Sequence, residues 1–484
     1  MQKISVKTIY LILVISIGLV GLGVGSTFAM FTASSKIDNP ISFTAGIFGE
    51  SDVIETVEVT VPAGETKATN LHVTNSTNSN LNYVMWYIDE GLDIELGSKR
   101  TDSGTYQTTI GAGEEHQYEV SIRNNSNSDV TVVIGVSSGT GSVTLSSDMK
   151  MVPQSELKPT LASVITNLYN NSTKTPVVNN SITYQYDTTN NLMQDTAGNI
   201  RYYGATPKNY VYFNCDSYPS TNCELWRIIG VFDGKIKLMR NETIGKYSWD
   251  TSASSVNSGS GVNEWSQADL MKLLNPGHES ESVGGSLYYN SKSGTCYSGQ
   301  SNATTSCNFT STGIKNDTTR NMIADITYNT GGHTTSNVFS NVMYEKERGI
   351  TTVSNPSDGI TRTTTWTGKI ALAYPSDYGY ATDLSKCSQT LYDYDNSTDS
   401  YACRTNDWMY PIITNSGKTY GWLLTPYSSY ANNAFSVGSA GYVSGGSNGV
   451  CNANGVAPVL YLGSNQNIVA GDGSQSKPYQ LANS

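Results

Sequence analysis

The strongest constraint on the fold is a pattern repeated along the first third of the chain. Short runs of alternating apolar and polar residues are separated by Gly, Asn, Pro and Ser. The clearest runs are ETVEVTVPAG (55–64), NYVMWYIDEG (82–91), HQYEVSIRNNS (116–126) and VTVVIGVSSG (130–139). A period of two puts successive side chains on opposite faces of a strand, and the separating residues favour turns. Residues 30–148 are therefore predicted to form an all-β sandwich of short antiparallel strands.

A change of pattern marks a second unit. Residues 149–159 are predicted to be a linker. TLASVITNLYNN (160–171) then places apolar residues at helical spacing behind a threonine that suits the N-cap. ELWRIIGVFDGKIKLMRNE (224–242) predicts a hairpin with its turn at Asp233 and Gly234.

Further helices and short strands follow in the same unit. SQADLMKLLNPG (266–277) predicts a helix with a capping box formed by Ser266 and Asp269. Other helices are predicted at 316–326 and 336–349, and short strands at 369–381, 420–426, 434–445 and 457–462. This order makes residues 160–484 an α+β domain, so the whole chain is predicted to be multidomain.

The N-terminal segment predicts export. Lys3 and Lys7 precede an uncharged apolar run at 9–25, and STFA (26–29) supplies small residues suited to a cleavage site. This pattern indicates a secretory signal peptide over residues 1–29. The alternative is an uncleaved membrane anchor, since the run is nearly long enough to span a bilayer. The protein is predicted to be secreted or held at the cell surface, with membrane contact only through this segment.

Composition agrees with an extracellular location and argues against one class of partner. Charged residues make up 14% of the chain, its net charge is −11, and 32 tyrosines are present. Binding to nucleic acid requires clustered Lys and Arg to neutralise phosphates, whereas here these residues are scattered. No nucleic-acid partner is therefore expected. Tyrosine supplies rigid amphipathic contact area, which is typical of binding surfaces.

Six of the seven cysteines fall into three local couples, each flanking a polar segment. This arrangement suits loop-closing disulfides in a secreted chain, with free buried thiols as the alternative. The spacings do not match zinc motifs such as paired CxxC. Cys451 is left over. At least two disulfides are predicted among the couples Cys215/Cys223, Cys296/Cys307 and Cys387/Cys403, with their connectivity left open.

A motif follows the predicted signal peptide. STFAMFTASSKIDNPISFTAGIF (26–48) contains FT at 31–32 and FTAG at 43–46. This pattern resembles the start of the TasA/camelysin family of secreted bacterial matrix proteins, and the resemblance covers residues 26–140. It implies a jelly-roll-like sandwich that serves for attachment or assembly. Some members of that family polymerise by donating an N-terminal strand to the next subunit, so self-assembly is one expectation and a monomeric spacer is the other.

The second unit contains a series of distinctive strings in a fixed order. They are NYVYFN (209–214), ELWRIIGVF (224–232), VNEWSQADLMKLLNPG (262–277), ALAYPSDYGYA (371–381), NDWMYP (406–411), GWLLTP (421–426) and GVAPVLYL (455–462). They resemble a domain of unknown function from surface proteins of gut Firmicutes. That domain is similar to C-type-lectin-like folds and to formylglycine-generating (sulfatase-modifying-factor-like) enzymes. The resemblance implies that GVAPVLYL is a core strand and that the segment before it lies on an exposed ligand-binding face.

The segment implied to bind is YSSYANNAFSVGSAGYVSGG (427–446), which is rich in Asn, Ser, Gly and Tyr. Two short strands are predicted here, forming a hairpin anchored by Val437 and Val443. The ligand is expected to be an extracellular glycan or protein. The residues predicted to line the face are Tyr427, Ser428, Ser429, Tyr430, Asn432, Asn433, Ser436, Tyr442, Ser444 and Asn452.

Signals for catalysis or metal binding are weak in this sequence. No GxSxG or HExxH pattern is present, so no catalytic residue is assigned. DYDNSTDS (393–400) spaces oxygen ligands as a calcium loop does, but Thr398 and Arg404 replace the glycine and glutamate of an EF-hand. Calcium is therefore the single cofactor left open. Formylglycine-generating chemistry needs paired reactive cysteines and copper, whereas Cys451 stands alone.

These observations predict a secreted or cell-surface bacterial protein that functions in adhesion or in an extracellular matrix. Its second unit would bind a ligand, and its first unit would serve as the attachment or assembly module. Two alternatives remain. One is a structural fibre subunit of a biofilm matrix, and the other is an enzyme of the formylglycine-generating type.

Overall fold

A computed structural model of the chain divides into two compact units, Met1–Thr160 and Leu161–Ser484. The described residues of the first unit are 41–45, 53–75, 77, 80–88, 94–96, 105–106, 108–112, 114–124, 126–139, 143–144, 150–151, 157–158 and 160. Those of the second unit are 161–482 apart from 253–259, 349–359, 361, 395–397, 447 and 464–465. The predicted signal peptide lies outside these ranges. No helix within them is long and apolar enough to cross a membrane.

The described part of the first unit is built of strands, which confirms the prediction of a β-rich chain. One sheet has the order β1-β3-β8-β12, with β5 also paired to β8. A second has the order β11-β4-β9-β2, with β7 also paired to β4, and β6 pairs with β10. The strands are β1 Ile41–Ala45, β2 Val53–Val61, β3 Thr66–Asn75, β4 Leu81–Ile88, β5 Ile94–Leu96, β6 Thr105–Tyr106, β7 Thr108–Ile110, β8 Glu115–Asn124, β9 Val130–Gly139, β10 Val143–Thr144, β11 Lys150–Met151 and β12 Leu157–Lys158.

The described strands build a hydrophobic core between the two sheets. Val73 and Ile122 come from the first sheet, and Val61, Tyr83 and Ile134 come from the second; all five are fully buried. The four runs that predicted strands correspond to β2, β4, β8 and β9. Burial of one face of each strand is the main stabilising term for such a unit.

The structure differs from the sequence prediction at the C-terminal end of this unit and adds a strand at its N-terminal end. Within the predicted linker, residues 149–159, the described residues form β11 and β12, which pair with β4 and β8. At the other end, the FTA of the FTAG motif lies in β1. This strand pairs in parallel with β3 and forms an edge of its sheet.

The second unit mixes longer sheets with short helices. The helices are α1 Leu161–Asn170, α2 Asp269–Leu274, α3 Asp317–Met322, α4 Ser340–Arg348, α5 Pro375–Ala381, α6 Thr398–Thr405 and α7 Tyr410–Ile413. The strands are β13 Thr175–Asn179, β14 Ile182–Asp187, β15 Leu192–Gln194, β16 Ile200–Tyr202, β17 Tyr210–Phe213, β18 Glu224–Phe232, β19 Lys235–Arg240, β20 Lys246–Tyr247, β21 Ser293–Gly299, β22 Ala303–Asn308, β23 Ile326–Asn329, β24 Thr365–Gly368, β25 Ile370–Ala371, β26 Gly421–Pro426, β27 Ala434–Val437, β28 Val443–Ser444, β29 Asn454–Gly455, β30 Val459–Tyr461, β31 Ile468–Ala470 and β32 Tyr479–Leu481.

An eleven-stranded sheet forms the framework of this unit. Its main path is β13-β14-β15-β16-β18-β17-β32-β31, and β19, β30 and β25 continue from β18. The predicted hairpin is confirmed as β18 and β19, with Asp233 and Gly234 both at positive φ, as a tight two-residue turn requires. The predicted core strand is also confirmed, because β30 is fully buried and pairs with β19 and β25. A second sheet, β20-β29-β26-β27-β28, carries the segment predicted to bind a ligand.

Two local predictions are wrong. Ser266 does not cap a helix with Asp269, because it lies in a 3-10 turn that Glu264 caps by accepting a hydrogen bond from the Ser266 backbone N–H. Residues 369–381 are a strand only at β25, since Pro375 begins α5 and Asp377 accepts a hydrogen bond from the Tyr374 N–H at the helix start.

The prediction of at least two disulfides is confirmed, and the structure shows that all three local couples are bonded. Cys215 is bonded to Cys223, Cys296 to Cys307, and Cys387 to Cys403. The second bond joins the two strands of the β21–β22 hairpin. Three disulfides fit an oxidising, extracellular environment.

Buried charges join the large sheet to α5. Asp377 accepts hydrogen bonds from Arg201 Nη1 at 2.9 Å and from Lys237 Nζ at 2.5 Å, and Arg201 Nε also bonds Asp195 at 2.6 Å. All four side chains are almost completely buried. Burial opposes the ionisation of Asp377, but Lys237 and Arg201 outweigh it and lower its pKa to about 2.

A second buried carboxyl lies beside this cluster. Glu347 accepts hydrogen bonds from the backbone N–H and the hydroxyl of Ser376, and Arg348 Nη1 lies 3.3 Å from its Oε2. Burial raises the pKa of Glu347 to about 7, even though Arg348 acts in the opposite direction. The carboxyl is therefore a proton-binding group of the folded state near neutral pH.

This raised pKa predicts a pH-dependent stability. The folded state keeps a proton that the unfolded chain loses above 4.5, the ordinary pKa, so the free energy of unfolding should fall as pH rises from 4.5 to about 7. Glu347→Gln should flatten that slope, as measured by urea unfolding across this range. Glu345→Gln, which changes an exposed residue of the same helix, is the control and should keep the slope. An unchanged slope in Glu347→Gln would contradict the assignment to Glu347.

Candidate ligand-binding face

The predicted binding segment is positioned by β26, β27 and β28. β26 pairs antiparallel with β27 from Gly421 opposite Val437 to Pro426 opposite Ala434. β27 then pairs with β28, with Val437 opposite Val443. Both valines are fully buried, which confirms the predicted hairpin and its anchors. The connection between β26 and β27, residues 427–433, is named here the tyrosine loop.

A single buried amide, that of Asn263, organises the tyrosine loop. Asn263 Nδ2 lies within hydrogen-bonding distance of three loop carbonyls: those of Tyr430 and Asn433, both at 2.8 Å, and that of Tyr427 at 3.2 Å. The Asn263 backbone N–H donates to the carbonyl of Ala431 at 3.0 Å. Since this side chain has no exposed surface, its amide is a fixed part of the domain interior.

Two further residues hold the tyrosine loop from different parts of the chain. Arg362 donates from Nη2 to the Ala431 carbonyl at 2.8 Å and from Nε to the Asn263 side-chain oxygen at 2.7 Å. His333 pairs with the start of the loop through its backbone. Its N–H donates to the Pro426 carbonyl, and its carbonyl accepts from the Ser428 N–H. The loop is therefore fixed mainly through its main chain.

The side chains of Tyr427 and Tyr430 form a stacked pair on this fixed loop. Their ring centroids are 5.7 Å apart and their planes differ by 20°. Tyr427 is half-buried and packs its edge against Phe435, at 5.6 Å. Tyr430 is 54% exposed. A Cβ at Gly445 would lie 2.3 Å from the Tyr427 ring, so only glycine leaves room for this ring position. The inner tyrosine is thus packed, and the outer one is presented to solvent.

The ten residues predicted to line the face divide by exposure. Ser429, Tyr430 and Asn452 are exposed, and Tyr427, Asn432, Asn433 and Tyr442 are partly exposed. Ser428, Ser436 and Ser444 are buried. These three serines do not lie on the exposed face, which corrects that part of the prediction.

Buried polar groups beneath the face form their own network. Asn448 Nδ2 donates to Ser436 Oγ at 2.6 Å, and the amides of Asn452 and Asn454 reach Asn448 Oδ1 at 3.4 Å. The buried polar groups of Ser436, Asn448 and Asn454 therefore pair with one another, as buried polar groups generally must, whereas Asn452 joins them from the exposed side.

A second group of tyrosines lies at the opposite end of β26 and β27. Tyr442 bonds Tyr420 through their hydroxyl oxygens at 2.9 Å and contacts Tyr392, whose ring centroid is 6.4 Å away. The β27–β28 turn beside them is fixed by side chains from three helices. Arg404, Tyr378 and Tyr410 donate to the carbonyls of residues 440, 441 and 439, each at 2.7 Å. Tyr442 therefore does not share one continuous face with Tyr430.

The described residues do not form the reactive cysteine pair of a formylglycine-generating enzyme, nor do they form a calcium site. Cys451 is buried, and burial raises the pKa of its thiol, while the other six cysteines are in disulfides. A reactive cysteine pair is therefore not formed. Of the proposed calcium loop, Asp395 and Ser397 lie outside the described residues, and Asp393 Oδ2 accepts from the Thr390 hydroxyl. Within the described parts of the chain, no three His, Cys, Asp or Glu residues are grouped as a metal site.

Sequence reasoning missed the residues that hold the face in place. Asn263, Arg362 and His333 are distant from the tyrosine loop along the chain and meet it only in the fold. Asn263 does lie in one of the distinctive strings, VNEWSQADLMKLLNPG (262–277). Nothing in that string points to residues more than 160 positions away.

No protein-family model matches the chain, and no curated protein or solved structure matches it either. The resemblances to the TasA/camelysin family and to C-type-lectin-like folds stay predictions. A functional proposal therefore rests on the geometry of the site.

Proposed function

We propose that this is a secreted or cell-surface protein whose second unit binds an extracellular ligand, a glycan or a protein, through the tyrosine loop. The observation that carries the proposal is the stacked pair on a fixed main chain. Its inner ring, Tyr427, is half-buried, and its outer ring, Tyr430, is exposed. Rigid aromatic side chains bind at low entropic cost, because little freedom is lost when a ligand arrives. A jelly-roll-like first unit for attachment and a C-type-lectin-like second unit are part of this proposal.

Export is supported by three disulfides and by the N-terminal segment. The disulfides suit an oxidising compartment, and residues 1–29 have the charge and apolar pattern of a signal peptide. N-terminal sequencing of the exported protein tests this, and a mature chain that starts near residue 30 is expected.

Binding is tested with the full exported chain on arrays of glycans and of extracellular proteins. Ser429→Glu combined with Asn432→Glu places charge on the tyrosine loop and should abolish the signal. Ser306→Glu, an exposed serine on β22 outside the face, is the matched control and should leave binding unchanged. The proposal fails if no ligand is retained, or if both variants bind like the unchanged protein.

A fibre subunit is the second candidate function, favoured by the position of β1. This strand is five residues long and pairs at the edge of its sheet, in parallel with β3. An edge strand can be exchanged between copies, because the backbone pairing is the same. Filaments visible by electron microscopy, and absent after deletion of residues 30–48, are expected if this function holds.

A further inference from the structure

The binding segment is uncharged. From Tyr427 to Gly455 the chain contains no Asp, Glu, Lys or Arg, although such residues make up 14% of the whole. Recognition of phosphate, sulfate or carboxylate groups normally uses Arg or Lys in charge-assisted hydrogen bonds. Residues 427–455 therefore provide no Lys or Arg side chain to bind an anionic ligand.

Two arginines that touch the segment from outside are already engaged by it. Arg362 donates to the Ala431 carbonyl and to the amide oxygen of Asn263. Arg404 donates to the Ala440 carbonyl at 2.7 Å. Both guanidinium groups support the backbone, so they are not presented as anion-binding groups on the face.

The groups of the tyrosine loop that reach solvent are an aromatic ring and uncharged polar groups. Tyr430 presents a ring supported from behind by Tyr427, at 5.7 Å. Beside it on the same loop are the exposed Ser429 hydroxyl and the partly exposed Asn432 amide, whereas the Asn433 amide donates from Nδ2 to the Gly446 carbonyl at 3.0 Å. An aromatic ring packs against the apolar C–H face of a sugar ring, and hydroxyl and amide groups exchange hydrogen bonds with sugar hydroxyls.

We propose that the tyrosine loop binds a neutral glycan, one sugar ring of which stacks on Tyr430, and that this contact needs no metal ion. This inference rests on the proposed function and adds the ligand class to it. Independence from metal is expected from the composition of residues 427–455, since they contain no carboxylate, the charged ligand that calcium sites normally include. The remaining parts of the glycan would contact the polar groups of Ser429 and Asn432.

The test uses the full exported chain and three kinds of probe. Neutral polysaccharides (a β-glucan, a mannan and a galactan) are compared with a polyuronate and with a panel of extracellular proteins. Affinity for at least one neutral polysaccharide is expected, unchanged by EDTA. Tyr430→Ala should weaken it by about tenfold or more, since the stacked surface is lost. Tyr430→Phe should keep affinity within about threefold, because the ring is retained.

Tyr401→Ala is the matched control, because this tyrosine is 59% exposed and lies in α6, outside the face. It should bind like the unchanged protein, and all variants should give the same near-ultraviolet circular dichroism. Binding only to the polyuronate would overturn the neutral character of the glycan, and binding only to a protein would overturn the glycan class; in either case the proposed function stands if the binding still depends on Tyr430. Binding that EDTA abolishes would overturn the metal-independent contact. No binding to any probe, or binding unaffected by Tyr430→Ala, would overturn both proposals.

Discussion

Replacing Asp377 by alanine should lower the free energy of unfolding of the second unit by about 3–5 kcal/mol. Its carboxylate is buried between Arg201 and Lys237. Without it, buried Lys237 loses the carboxylate that pairs with it, and buried Arg201 keeps its pair with Asp195. Asp377 also accepts the Tyr374 N–H at the start of α5, so the helix loses a hydrogen bond there.

The matched control for this experiment is Asp325→Ala. Asp325 pairs with Lys369 at 3.1 Å, but its side chain is 65% exposed, and such pairs contribute about 0–1 kcal/mol. Denaturant unfolding followed by tryptophan fluorescence reports on both variants, since most of the tryptophans of the second unit are buried. A loss for Asp377→Ala no larger than for Asp325→Ala would contradict the assigned role of the buried cluster.

Replacing Asn263 by alanine should abolish ligand binding and also cost about 2–3 kcal/mol of stability. The variant removes the amide that three loop carbonyls approach, and it leaves the guanidinium of Arg362 without its side-chain acceptor. Leaving buried polar groups without a partner costs about 1–3 kcal/mol. The tyrosine loop would then lose its fixed conformation, so the stacked pair would no longer be preformed.

Asn209 provides a matched control for Asn263. It is equally buried, donates from Nδ2 to the Ile228 carbonyl at 2.8 Å and accepts from Arg227 Nε at 2.6 Å. These contacts lie in the large sheet, away from the tyrosine loop. Asn209→Ala should destabilise the domain to a similar extent but keep full affinity in the folded protein. If both variants lost affinity equally, a specific role for Asn263 would be excluded.

Elements with strong local signals were predicted well from the sequence. The β18–β19 hairpin has an Asp-Gly turn between two apolar runs, and both turn residues adopt the positive φ that such a turn needs. β4 and β9 followed from apolar-rich runs bounded by turn residues, and most of their residues are buried on both faces. The disulfides followed from the closeness of paired cysteines in the chain, because a short separation leaves few alternative partners.

Predictions failed where tertiary contacts determine the structure. The start of α5 was taken for a strand, because Ala371 to Ala373 are apolar; the helix begins where Pro375 and Asp377 provide its first turn. Ser436 and Ser444 were placed on the surface because small polar residues usually are exposed. They are buried, and Asn448 pairs with Ser436. Asn263 could not be assigned, because its carbonyl partners are more than 160 residues away.

The way the tyrosine loop is held has a consequence for how its specificity could evolve. Asn263, Arg362 and His333 engage the loop through its backbone, which every amino acid except proline provides in full. Exchanging the outward side chains at positions 429, 430 and 432 would leave those anchoring bonds intact. Related chains could therefore diverge in the ligand they recognise while keeping the same fold. Substitutions of the outward side chains would change recognition without removing the bonds that stabilise the loop.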